Sequence, residues 1–340
     1  IGDFYYAPPS GYVALCTFNL PDPVAAVDPN QGGSPQDYFN TVLYTGSGGG
    51  QTISGVGFQP DWTWIKHRNE ANDNVLTDSV RGVDNILYSN GVDAEASGGQ
   101  ITSFNNDGFV LEYSGGQNVK FNKASGSYVS WNWKAGTSFS NDASSTSVGN
   151  TDSTGSVSTA SGFSIILWTG VADGSTRNIA HGLGAVPKMI IVKNRERGVN
   201  WAVYHEGIGN TKALHLDTTS AAVTDASGWW ASTTPTSTVF TTGHGSAYRT
   251  GGGSVTEDFI AYCFADVEGY SKFGSYTGNG NTNGPVIYCG FRPAMVIIKV
   301  SSRASGWNMQ DDVRSPGNPD IIVTGPNFND VEYTHVNQAY

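Results

Sequence analysis

Charge is scarce in this sequence. Asp, Glu, Lys and Arg make up 14% of its 340 residues, against about a quarter in an ordinary soluble domain, so its surface is hydroxyl, amide and backbone rather than ion pairs. Positive charge is the scarcer sign, with 18 Lys and Arg against 29 Asp and Glu and a net charge of -11. That excludes nucleic acid as a partner, because phosphate backbones are bound by clustered cations. Cys16, Cys263 and Cys289 form neither an even framework nor a C-x-x-C pair, which excludes a disulfide scaffold. Cys263, in the apolar run 259–264, and Cys289, beside Tyr288, read as small core residues. No apolar run approaches the roughly 20 residues needed to cross a bilayer, and the N-terminus has no charged-then-apolar signal pattern. No window holds helical spacing over three turns.

Glycine and aromatic residues are abundant instead. There are 44 Gly, and Phe, Trp and Tyr form 12% of the chain, enough apolar area for sandwich cores despite a modest hydrophobic total. The sequence also repeats itself. A Gly-Phe-x-Pro turn leads into an apolar strand whose lysine stands six residues after the proline, at Pro60 to Lys66 and at Pro293 to Lys299. A middle copy keeps the frame Gly184, Pro187 and Lys193. An aromatic-Thr-Gly triplet precedes each copy, at Tyr44, Trp168 and Tyr276, and the first and third place an aspartate 12 and an arginine 15 residues after the lysine, Asp78 with Arg81 and Asp311 with Arg314. Several offsets held in register identify a tandem array.

The strands show period-two patterning: in 62–66 the two tryptophans share one face, with Thr63 and Ile65 on the other. With turn signals such as Asn106-Asp107-Gly108, this predicts an all-β chain of tandem antiparallel β-sandwich modules, jelly-roll-like and about 100 residues each. The boundaries read as 1–34, the end of a preceding β-domain with a Pro-rich connector; 35–136, repeat one; 137–160, a Ser/Thr/Gly linker; 161–270, repeat two; and 271–340, repeat three. The linker reading rests on composition, since such a segment has little apolar surface to bury. Repeats two and three have almost no spacer and are expected to pack rigidly. The aromatic core of the closing strand (128–133 in repeat one, 259–264 in repeat two) has no counterpart in the 41 residues after Lys299. The exposed edge this implies predicts either sequence beyond Tyr340, the preferred reading, or a covering partner. The start at Ile1 reads as processing or as part of a longer polypeptide.

Five strings, 38–46, 56–62, 78–82, 131–136 and 273–280, resemble repeat modules of tail-fibre-like virion proteins of tailed phages, marine ones especially. The opening 1–12 resembles the end of a SPRY-type β-sandwich. The resemblance implies a virion structural protein at the particle surface, part of a tail fibre or appendage, partnered by itself as a homo-oligomer such as a trimer, by other virion proteins and by a host-surface glycan. It implies no cofactor. Repeat two departs from the pattern, with Ala185 for Phe and His205 at the aspartate offset.

The repeated polar residues admit two readings. A lysine, aspartate and arginine on neighbouring strands can bind a sugar carboxylate or hydroxyls, or can fix a turn and a packed ion pair in each repeat. Repetition favours architecture, since a catalytic centre needs one copy. Pro60, Lys66, Asp78, Arg81, Pro187, Lys193, Pro293, Lys299, Asp311 and Arg314 are therefore read as structural. Trp229, Trp230, His244, Tyr248 and Arg249, near turn residues, are the candidates for stacking on sugar faces. The acids, among them Asp93, Glu95, Glu257, Asp258 and Glu268, lack the spacing of a glycosidase pair, and the histidines lack metal-ligand spacing. The reading is a non-enzymatic chain without metal or cofactor, with a purely structural capsid-decoration or filament role and a glycan depolymerase as the alternatives.

Overall fold

The computed structural model describes residues 22–112, 118–225, 228–243, 247–251, 256–281, 284–317 and 322–334. The chain is all-β, built from antiparallel sheets with a few four-residue helical turns. Four strands define each full module. In module one the opening strand Phe39–Thr45 pairs with the closing strand Ser127–Trp133, which pairs with the signature strand Trp62–His67, which pairs with the return strand Val75–Asp78. Module two repeats that order with Phe163–Thr169, Asp258–Phe264, Met189–Asn194 and Ala202–His205. In module three, the described residues give a signature strand, Met295–Lys299, paired only with a return strand, Trp307–Asp311.

Alternation gives each signature strand two apolar faces. On one face Ile65 joins Ile53, Val75, Phe109 and Tyr128 in a core of module one, under a second sheet made by Gln51–Ile53, Gly108–Leu111 and Ile101–Asn105. Ile190 and Val192 do the same in module two. On the other face Trp62 and Trp64, Met189 and Ile191, and Met295 and Ile297 meet in one core shared by all three modules. Thus the face sharing expected for the tryptophans holds, but the apolar surface they create is covered by neighbouring modules. Modules two and three pack together, and module one packs against both.

Residues 137–160 are not a linker. Thr137–Asn141 and Ser153–Ser158 form two strands that extend the module-two sheet beyond its opening strand. Between them Asp142 caps the short turn Ala143–Thr146 through Ser144 and Ser145 N–H. Polar composition did not prevent burial here, because Ser153, Ser156 and Ser158 are small enough to lie under neighbouring backbone. The connector is described from Asp22 onward. It holds 3-10 turns at Ala25–Val27 and Pro29–Gln31, and Val24 N–H donates to Glu268 O. The end of the preceding β-domain read at the N-terminus, with its SPRY-like opening, and Cys16 lie outside the described residues. Cys263 is buried as expected, whereas Cys289 is only half-buried.

Candidate functional site

The repeated polar residues converge on the junctions between modules, and the same contacts recur around a closed cycle: module two docks on one, one on three, and three on two. Each signature lysine reaches a backbone carbonyl of the next module. Lys193 Nζ donates to Val92 O at 2.8 Å, Lys66 Nζ to Asn329 O at 3.0 Å, and Lys299 Nζ to Thr219 O at 3.4 Å. These acceptors lie 26, 30 and 26 residues after their own module's lysine. Two residues past each lysine, a carbonyl accepts from the neighbour: Arg195 O from Glu95 N–H at 2.7 Å, Arg68 O from Glu332 N–H at 3.0 Å, and Ser301 O from Ala222 N–H at 2.9 Å. Eight residues past it, a side chain donates across the junction. Trp201 Nε1 bonds Tyr88 O, Trp307 Nε1 bonds His215 O, both at 2.9 Å, and Asn74 Nδ2 bonds Gly325 O at 3.1 Å. A head-to-tail contact that closes after three copies is a ring rather than a filament.

Two junctions carry a buried ionic relay. Asp78 accepts from Arg81 Nε and from Arg81 N–H, and Arg81 also donates to Leu76 O at 3.2 Å. Arg81 pairs with Glu95 at 3.0 Å, and Glu95 with Arg195 of module two at 2.7 Å. The other relay runs Asp311, Arg314, Glu332 and Arg68, with Arg314 to Glu332 at 3.6 Å and Arg68 to Glu332 at 2.7 Å. A closing-strand aromatic completes each: Tyr262 OH donates to Asp78 at 2.8 Å, and Trp131 Nε1 to Asp311 at 3.0 Å. Burial pushes the Glu95 carboxyl up, but the Arg195 and Arg81 guanidinium groups hold it below the usual range.

The third junction replaces the whole relay. At the aspartate, arginine, glutamate and outer-arginine positions stand His205, Ile208, Ala222 and Ser301. Ile208 and Ala222 pack against the shared core, and the backbone bond from Ala222 to Ser301 survives. Coordinated replacement is what electrostatics requires, because removing one member alone strands a desolvated charge. His205 Nδ1 accepts from Gly207 N–H at 3.0 Å, and burial lowers the pKa of the ring, which keeps it neutral with its proton on Nε2.

Burial pulls Lys66 and Lys193 down from 10.5 to about 8 each, and Lys299 downward in the same sense. The unfolded chain keeps the Lys66 and Lys193 protons up to about pH 10.4 while the folded chain releases them near 8, so it is the unfolded state that binds more protons between those values. Stability should therefore rise with pH from about 8 to about 10, by on the order of 3 kcal/mol for each of Lys66 and Lys193. Buried Tyr44 and Tyr262, whose pKa values are raised, oppose this only above the ordinary tyrosine range near pH 10. Urea unfolding at pH 7, 8, 9 and 9.5 checks the slope, with the Lys66→Met, Lys193→Met double variant as the comparison. A flat wild-type profile would mean solvated ammonium groups.

Of the sugar-stacking candidates, the two tryptophans are core residues. Trp229 and Trp230 are each 1% exposed, packed in the module-two core. Trp229 lies edge-on to His215, and Trp230 Nε1 bonds Lys212 O at 3.0 Å. Neither offers a face to a glycan. Arg249 is half-buried, with its guanidinium 5.3 Å over the Trp229 ring. His244 and the Tyr248 side chain lie outside the described residues. Pro60, Pro187 and Pro293 each precede a signature strand in the same setting.

A surface cleft of about 440 Å³ lies where modules two and three meet, lined by Lys188, Glu206, Asp266, Lys272, Phe273 and Ser275. Sequence reasoning missed it because its residues come from irregular stretches outside the strands of repeats two and three. Among the described residues no group of three or more His, Cys, Asp or Glu is placed to hold a metal ion, and no helix is long and apolar enough to cross a membrane. No curated protein and no solved structure matches the chain. A family model described as a domain of unknown function, DUF7483, matches residues 34–340, and the chain belongs to that family.

Proposed function

We propose that this chain is a non-catalytic structural module of a tailed-phage virion appendage, a rigid body that presents polar loops and the module-two/module-three cleft to a host-surface glycan. One observation carries the non-catalytic part: the recurring Lys, Asp and Arg, the natural candidates for chemistry, are engaged in holding one module to the next. The virion setting rests on the resemblance of the repeat strings to tail-fibre-like proteins. A ring with abundant hydroxyl and amide surface suits display, since binding residues belong on loops held by a stiff frame. Oligomerisation or repetition along a fibre would raise weak sugar contacts to useful avidity. The cleft combines charged groups, a hydroxyl and one aromatic ring, Phe273, a set suited to sugar hydroxyls and a sugar face.

The test is glycan-array binding by the purified chain beside a polysaccharide cleavage assay, with Phe273→Ala and Asp266→Ala as cleft variants. Binding without cleavage that weakens in these variants is the expected result. Shortening of the polysaccharide would replace this reading with a depolymerase. Silence in both assays would leave the scaffolding role, as capsid decoration or filament subunit, and remove attachment.

A further inference from the structure

We propose that the cleft between modules two and three takes an uncharged sugar, held through adjacent hydroxyl groups, and turns away acidic and amino sugars; this rests on the attachment reading above and names the ligand within it. The repeat supplies the ground, because the cleft positions have counterparts that do something else. The same backbone frame surrounds residue 61 in module one and residue 188 in module two. Asp61 N–H donates to Trp133 O and Lys188 N–H to Phe264 O, while Ser79 N–H donates to Asp61 O and Glu206 N–H to Lys188 O. In module one that frame is closed: the buried Asp61 carboxylate accepts from Ser79 Oγ and from the N–H groups of Ala135 and Gly136. In module two the positions of Asp61, Ser79 and Ala135 hold Lys188, Glu206 and Asp266, all three partly open to solvent and Glu206 54% exposed at its side chain. Where module one has Val80, packed against the shared core, and module three has Val313, module two has Gly207. A Cβ there would stand 2.9 Å from Ser275 Cβ, so the missing side chain leaves room for the module-three wall. Departures at four matched positions thus open one cleft and line it with charge.

Those charges are balanced in pairs, Lys188 with Glu206 at 2.6 Å and Lys272 with Asp266 at 3.2 Å. Asp266 also accepts from Phe273 N–H at 2.8 Å. Its hydrogen bond and charge, with Glu268 and Glu206 adding to them, hold the Lys272 ammonium protonated above its ordinary range. A sugar carboxylate must displace a protein carboxylate to reach either lysine, and a free amino group must displace a lysine. Each leaves a charge without its partner, which selects against both classes. The acidic sugar also approaches a chain of net charge -11. A neutral diol meets neither cost. A hydroxyl both donates and accepts whereas an ammonium only donates and a carboxylate only accepts, so neighbouring hydroxyls can bridge a pair without breaking it. Phe273 supplies a ring for the apolar face of the sugar.

The test places the full chain on an array of neutral, uronate-containing and free-amine oligosaccharides and titrates each hit by calorimetry. Its companion is the variant Lys188→Asp, Glu206→Ser, Asp266→Ala, which copies the module-one set. Net charge is unchanged, since Lys188→Asp makes the chain more negative by two and the other two changes each remove one negative charge. Hits should be neutral glycans whose affinity changes less than about twofold between about 50 and 500 mM salt. The triple variant should bind them at least about tenfold more weakly, with its urea midpoint near wild type because module one folds with that set. Glu206→Ser alone, at an exposed position, should weaken binding in the same direction and keeps the question open to measurement if the triple variant unfolds. Uronate or free-amine glycans bound as tightly as neutral ones overturn the ligand class and leave attachment standing. Neutral hits steeply weakened by salt, or indifferent to these variants, overturn it as well. Silence across the array removes the attachment reading itself and this proposal with it.

Discussion

Asp78→Ala should destabilise the protein by about 3–5 kcal/mol, the cost of stranding a buried guanidinium, whereas replacing the whole relay should restore most of that loss. Arg81 is fully buried at its side chain, and Asp78 is its closest anionic partner. Without that carboxylate, Glu95 alone cannot satisfy it, since Glu95 is also bound by Arg195. Tyr262 OH loses its acceptor at the same time. The third junction supplies the rescue: Asp78→His, Arg81→Ile, Glu95→Ala and Arg195→Ser together copy the set His205, Ile208, Ala222 and Ser301. Buried ion networks exchanged as a unit for packed apolar groups are often neutral in stability. Urea unfolding of wild type, the single variant and the quadruple variant decides it. A quadruple variant no more stable than Asp78→Ala alone would mean the third junction is held by something other than its apolar substitution.

The repeat frame was legible because proline, lysine and the Asp-Arg pair stand at fixed offsets, and the alternation around Trp62 and Trp64 assigned their faces correctly. The ring was not legible, for a physical reason. Its recurring acceptors are backbone carbonyls, at Val92, Thr219 and Asn329, and a carbonyl leaves no side-chain signature. His205 looked like decay of the pattern, although Ile208, Ala222 and Ser301 change with it at matched offsets, a signal present in the sequence once the junction is known. Residues 153–158 read as linker because hydrophobicity was taken as the condition for burial. There the condition is small size: a Cβ on Gly155 would collide with the Ile165 carbonyl, so the strand must be Ser- and Gly-rich to lie where it does. Trp229 and Trp230 were read as stacking candidates because they stand beside turn residues. They do sit in a non-strand turn, but one whose backbone buries both rings.

Trp62→Ala should cost about 3–5 kcal/mol, as expected for truncating a large buried aromatic, and the loss should appear in modules one and two together. Trp62 is 1% exposed, and its ring stacks on Tyr262 of module two at 4.3 Å while lying 4.4 Å from Trp133 of its own module and 5.7 Å from Phe163. Offset aromatic pairs of this kind add to the plain burial term. A cavity here would open both sides of the junction at once, since the surrounding rings belong to different modules and cannot collapse independently. Trp62→Phe provides the control. The Trp62 Nε1 finds no acceptor among the described residues, so losing that group removes a buried unsatisfied donor and offsets part of the lost volume. Amide hydrogen exchange read separately on 62–67 and 258–264 distinguishes the outcomes. Equal loss of protection in both strands is the result a single shared core requires, because residues that unfold as one cooperative unit exchange through one opening. Protection lost from the first strand and kept by the second would show that the modules fold independently and that the ring is only an assembly of finished parts.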